Sequence, residues 1–237
     1  ALLQAGWEFA KTDDYDQRYY RDWSHELPPL RYAGQALELD LHHAILPPIG
    51  RLRPDTSRLI AQAIAIPGHP FRALSAKDQL LHAAAHLFED SDCTNRLRDL
   101  VDFDGLLRSQ TGQAAPRDVA ERLRARAHEL GLMRPLLYAA VFAARWCDTP
   151  GAADLLASTK ARRLHRPASA VVALMGCALG PPAPDQPTSA LRHLCERLLA
   201  LRALWLRMPP WLVVFHTAAK TWRSVLALRR SADRGAD

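Results

Sequence analysis

Residues 37–45 read LELDLHHAI. Taken as a β-strand, the alternation sets Glu38, Asp40 and His42 on one face, with Leu37, Leu39 and Leu41 on the other. Two carboxylates and an imidazole in a row could gather round a divalent cation, with oxygen as the hard ligand. A half-solvated amphipathic strand presents the same pattern to water, so at this point both readings stand.

Other clusters compete. His82 and His86 stand at i, i+4 and share a face if their segment is helical. Such a pair can hold zinc, but Ala83-Ala84-Ala85 lies between them, without the Glu of a metalloprotease HExxH. A third ligand would have to come from elsewhere, Cys93 or Asp102. The plainer reading is two helix histidines packed against core. Asp99, Asp102 and Asp104 lie in RDLVDFDG, which lacks the spaced ligands and closing Glu of an EF-hand. A structural role is expected for them, with Arg96 or Arg98 as partners and Asp102 pinning its helix to a neighbour. KARRLHR (160–166) is the densest basic run. It could meet phosphate, but without interleaved aromatics it reads as a solvated helix end, and nucleic acid is not an expected partner. Residues 209–230 carry Trp211, Trp222, Lys220 and several arginines among apolar residues. They suit a last core helix, or a helix lying on a membrane surface. The chain has no Walker A loop, no Gly-x-Ser-x-Gly elbow and no dinucleotide fingerprint.

These residues need a frame. Ala1 to Gly6 reads as the end of a helix with a Gly stop. Trp7–Ala10 suits a short strand, and Lys11–Ser24 suits a loop that could hold a turn of helix. HELPPLRYAGQALELDLHHAI reads as a hairpin turning at Ala33-Gly34-Gln35, with Pro28 and Pro29 suited to the start of an edge strand. Helical periodicity follows: PDTSRLIAQAIAI capped by Asp55 or Thr56, then a helix capped by Ser75 with Asp78 in its first turn. Further helices are expected to a stop near Gly112, from Pro116 to Gly131, and over 134–147, 151–163, 168–179, 188–208 and 210–229. GPPAPDQPTS reads as a loop and RRSADRGAD as a frayed tail. The fold class is therefore α+β and predominantly helical. Residues 1–50 form a strand-rich piece and residues 51–237 a helical domain.

A chain of 237 residues with 49% hydrophobic content can bury a substantial core. Its net charge of +6 favours anionic partners without choosing among them. Cys93, Cys147, Cys177 and Cys195 form no CxxC pair. With no signal segment at the start, they read as reduced thiols in a cytoplasmic protein. No apolar stretch is long enough to span a membrane.

The order HELPPL, LELDLHHAI, LSAKDQLLHAAAHLF, RLRDLVDFDGLLRS resembles the uncharacterised bacterial nucleotidyltransferase family of the DNA polymerase β-like nucleotidyltransferase superfamily. The resemblance is good over about residues 1–110. It implies transfer of a nucleotidyl group from an NTP to an acceptor it does not identify, with Mg²⁺ as cofactor. It places Asp40 at the family's third, metal-binding acid, with Glu38 and His42 in support. The family's first two acids follow a Gly-Ser in an Asp-x-Asp pair. This chain has no such motif, and Asp14-x-Asp16 in KTDDYD is only a lookalike, with no Gly-Ser before it. The expectation is a fragment, inactive alone, whose first two acids lie in an upstream segment or were lost. The alternative is a non-catalytic binding module for an anionic ligand or protein partner.

Overall fold

A computed structural model describes residues 1–89, 97–157, 166–180 and 189–215, with single positions 218 and 222. All of KARRLHR except its last residue, the loop 181–188, the tail and most of 216–230 lie outside the described residues, as does Cys93.

A one-turn 3₁₀ helix, Leu3–Ala5, ends at Gly6, whose φ of 90° reverses the chain and whose N–H donates to Leu3 O. Strand β1 (Trp7–Phe9) pairs antiparallel with β2 (Leu30–Tyr32), which pairs antiparallel with β3 (Glu38–Leu39). Gly34, at φ 80°, supplies the turn between β2 and β3. Because the sheet order is β1-β2-β3, the strand after Pro28-Pro29 is the central one, not an edge. Between β1 and β2 the chain is more helical than the expected loop with its turn of helix. The side chain of Asp13 accepts from Asp16 N and caps α1 (Asp14–Arg18), which runs on into a π-helical turn, Tyr19–Trp23.

Helix α2 (Thr56–Ala61) is capped by Asp55 as expected but stops short of Ile66. The alternation at Ile64–Ala65 forms β4, which pairs with β5 (Arg72–Ala73) across a turn containing Gly68 at φ 76°. The run of apolar residues thus serves two elements, which part at Gln62–Ala63, and Pro67-Gly68 turns the second back on β5.

The core is helical. Helices α3 (Ala76–Glu89), α4 (Leu97–Thr111), α5 (Pro116–Glu129) and α6 (Met133–Trp146) pack on one another, with α7 (Ala152–Leu156) against α5 and α6. Leu80, Leu81, Ala84, Leu87 and Phe88 of α3 recur at helical spacing and are buried, as are Leu100, Phe103 and Leu107 of α4. Ala139, Ala140 and Ala143 keep α6 slim enough for close approach, and Phe142 fills the space beside them. Phe142 stacks on Phe88 at 5.8 Å between ring centroids and touches Trp146 at 4.7 Å. Helices α8 (Arg166–Leu179) and α9 (Ala190–Arg207) extend this cluster through Met175, Ala178, Cys195 and Leu199. The outer face of α9 carries exposed Leu191, Leu194, Leu198, Leu201 and Trp205. Among the described residues no helix is long and apolar enough to cross a membrane. Cys147, Cys177 and Cys195 are free thiols.

Among the described residues one ion pair lies inside. Asp78 in the first turn of α3 is fully buried, and so is all but 3% of Arg126 of α5. Arg126 Nε and Nη2 donate to the two carboxylate oxygens at 2.7 and 3.1 Å. Ser75 Oγ donates to Asp78 Oδ2 at 2.9 Å, Arg126 Nη2 also donates to Arg58 O, and Glu129 pairs with Nη1 at 2.8 Å. These contacts tie α3, α5 and the end of α2 together.

The segment after the sheet docks on the end of α9. Arg51 N–H donates to Leu206 O at 2.7 Å and the Arg51 guanidinium lies 3.9 Å above the Trp205 ring. A Cβ at Gly50 would sit 3.0 Å from both Leu206 O and Pro47 O, so this approach requires glycine.

Candidate functional site

The strand expected over 37–45 is regular only at Glu38–Leu39, where Arg31 faces Glu38 and Leu30 faces Leu39. Pairing resumes at an isolated antiparallel bridge between Glu26 and His42. Between the Leu30–Leu39 pair and that bridge, residues 27–29 oppose residues 40–41. This is a one-residue bulge, and it contains Pro28 and Pro29, which have no N–H to give a ladder. Leu27 N–H still donates to Leu41 O, and the N–H groups of His43 and Ala44 donate to His25 O. The bulge shifts the facing of the first strand by one residue. Glu26 therefore comes to face His42.

The structure divides the three residues singled out on this strand. Glu38 is committed to a cross-strand ion pair, with Arg31 Nε donating to its Oε1 at 2.6 Å. His42 Nε2 lies 3.4 Å from Glu26 Oε2, and the His25 and His42 rings meet edge to face at 4.9 Å. Asp40 is exposed, and among the described residues it takes part in no ion pair. It sits near Tyr20, whose hydroxyl is pushed up chiefly by burial and then by the negative charge of Glu26, the neighbouring Tyr19, Asp16 and Asp40. The Asp14-x-Asp16 lookalike is helical, unlike a strand-and-turn Asp-x-Asp pair. Tyr19 lies between opposite charges: burial raises its hydroxyl, Arg207 of α9 lowers it and Glu26 raises it.

His25 and Glu26 carry a signal the sequence reading passed over. Among the described residues, His25, Glu26 and His42 form the group of three metal-capable side chains whose ligand atoms all lie within 4.8 Å of one another. The adjacency of HE in HELPPL was visible. Its meeting with His42 depends on the bulge.

The helix histidines stand close by. His82 and His86 stack at 5.9 Å, and His86 Nδ1 lies 3.9 Å from Asp99 Oδ2. Asp99, not the exposed Asp102, thus joins α4 to the histidine helix. Asp104 accepts from Arg108 Nε at 2.8 Å and from Thr149 Oγ1 at 2.6 Å, a structural role. Burial lowers the His82 imidazole below its ordinary 6.5, helped by His86 and His42. The folded state therefore disfavours the proton that the unfolded chain takes up. Its contribution to stability is full above pH 6.5 and is lost as pH falls toward the lowered folded value. Thermal melts over that window should show His82→Gln losing less stability on acidification than the parent. Equal pH slopes would contradict this.

Beside the docked segment lies a cavity of about 420 Å³, lined by Ile49, Gly50, Arg51, Arg53, Met208, Pro209 and Pro210. Arg51 Nε donates to Trp205 O and Arg53 Nε to Gly50 O, so both guanidiniums are positioned by backbone carbonyls.

Among known proteins, a family model described as an uncharacterised nucleotidyltransferase matches residues 1–148, further than the motifs alone reach. Neither the curated proteins nor the solved structures gave a match.

Proposed function

Because the chain belongs to the uncharacterised nucleotidyltransferase family, we propose that it serves transfer of a nucleotidyl group from a nucleoside triphosphate to an acceptor, with Asp40 as a working acid. The observation that supports this is the setting of Asp40. It lies within the matched residues, is exposed, makes no ion pair among the described residues, and shares Tyr20 with Asp16 and Glu26.

Mg²⁺ fits this setting in one form. It is usually held by one or two carboxylates together with substrate phosphates and waters, not by an all-protein cage. Asp40 would supply one such carboxylate, whereas Glu38 is occupied by Arg31. When bound, Mg²⁺ supplies charge stabilisation for a phosphoryl group under attack. Asp40 can also accept the proton of an acceptor hydroxyl as that oxygen attacks. His42, held by Glu26, orients the strand end beside it. Glu38 fixes β3 on β2 through Arg31.

Calorimetry with ATP and Mg²⁺ tests the reading. Asp40→Ala is expected to abolish Mg²⁺-dependent ATP binding. If binding persists at parental strength, Asp40 has no metal role. The arginine-lined cavity favours a second reading, a non-catalytic module that holds an anionic ligand. That reading expects ATP or polyphosphate binding without Mg²⁺, insensitive to Asp40→Ala and weakened by Arg53→Ala.

A further inference from the structure

His25, Glu26 and His42 offer two imidazoles and one carboxylate at the junction of two backbone-paired segments. This donor set is not one that Mg²⁺ prefers. Two imidazoles and a carboxylate suit zinc and its first-row neighbours, and the same set recurs in zinc sites that keep a fourth position open. We propose that His25, Glu26 and His42 form a binding site for a zinc-class divalent metal ion, with its remaining position open to an oxygen ligand.

Three observations carry this. First, the ligand atoms already converge, all within 4.8 Å of one another. Zinc–ligand distances of about 2.0–2.1 Å in a tetrahedron place neighbouring ligand atoms roughly 3.3 Å apart. Glu26 Oε2 and His42 Nε2 stand at 3.4 Å, so that edge of the tetrahedron is close to formed. His25 has to draw in by a short side-chain movement.

Second, the backbone fixes the donors. The Glu26–His42 bridge, the Leu27 N–H to Leu41 O bond at 2.8 Å and the His43 N–H to His25 O bond at 2.9 Å clamp both segments at the level of the three side chains. Third, access is open on one side. His42 is exposed, while His25 and Glu26 are half-buried, so an ion can enter and an outer ligand can reach it. The helix pair His82/His86 is not among the converging side chains and has Asp99 as its partner. The site also does not rest on the reading of Asp40, which lies outside the converging group.

The test uses the full chain, stripped of metal with a chelator and titrated with Zn²⁺ against a chromophoric competitor. Co²⁺ absorption serves as a second readout of a low-symmetry nitrogen–oxygen site. The expected result is one Zn²⁺ per chain that Mg²⁺ in excess does not displace. His42→Ala and Glu26→Gln should each weaken it by more than the roughly 10–100-fold that loss of a mere outer partner costs. Circular dichroism identifies any variant that fails to fold, and Glu26→Gln keeps the shape of the parent side chain. The double variant His82→Ala/His86→Ala should bind as the parent does, and so should Asp40→Ala. Absence of stoichiometric binding would overturn the proposal. So would parental affinity in both His42→Ala and Glu26→Gln, or loss of binding confined to the His82/His86 variant.

Discussion

Replacing Arg126 by alanine is expected to destabilise the protein by about 3–5 kcal/mol, because it leaves Asp78 as an uncompensated charge in the core. Asp78 has no exposed surface and takes two of its hydrogen bonds from the Arg126 guanidinium. Ser75 Oγ would remain as a donor, but one hydroxyl does not replace a guanidinium. For a chain of this size the loss corresponds to a fall in melting temperature on the order of 10 °C. Asp78→Ala should cost less, since the Arg126 guanidinium keeps Glu129 and Arg58 O as partners. The informative variant is the double replacement Asp78→Leu/Arg126→Met. Removing both charges restores much of the lost stability, because a buried pair gains little over well-packed apolar groups. Chemical denaturation of the three variants checks this. If the double variant is as unstable as the sum of the singles, the pair is not acting as one unit.

Phe142→Ala is expected to cost about 3–5 kcal/mol by a different route, a cavity in the centre of the helical bundle. Phe142 is wholly buried and stacks on Phe88 with an interplanar angle of 16°. Its other edge faces Gly176 of α8, where an added Cβ would stand 3.7 Å from the ring. The void would therefore open between α3, α6 and α8. Phe142→Leu should cost less, since most of the volume stays. A Phe142→Ala loss below about 1 kcal/mol would mean that the helices collapse onto the gap, against the packing seen here.

Much of the helical part was legible in the sequence because its signals are local. Pro116 opens α5, and Leu100, Phe103 and Leu107 mark the buried stripe of α4. Gly34 and the alternation around it announced the β2–β3 hairpin. The failures share a cause. Asp13 capping a helix in a polar stretch, and Ile64 pairing with Ala73, are choices between elements of nearly equal local preference. Tertiary context decided them. The buried role of Asp78 was hidden because its partner lies 48 positions away, on another helix.

The candidate site was half legible. Glu38, Asp40 and His42 were found by alternation, which holds only while a strand stays regular. The strand stops at Leu39, and the three part company: Glu38 pairs with Arg31, His42 meets Glu26, and Asp40 is exposed. No periodicity within nine residues could have indicated that His25 and Glu26 come up beside them.

The two prolines in HELPPL have an evolutionary consequence. Three residues, 27–29, stand opposite two, 40 and 41, between the Leu30–Leu39 pair and the Glu26–His42 bridge. Removing one of the three would leave two opposite two, so Glu26 would still face His42, now by regular pairing. Natural variants of this chain should therefore accept a one-residue gap between Glu26 and Leu30 while keeping both the acid and His42.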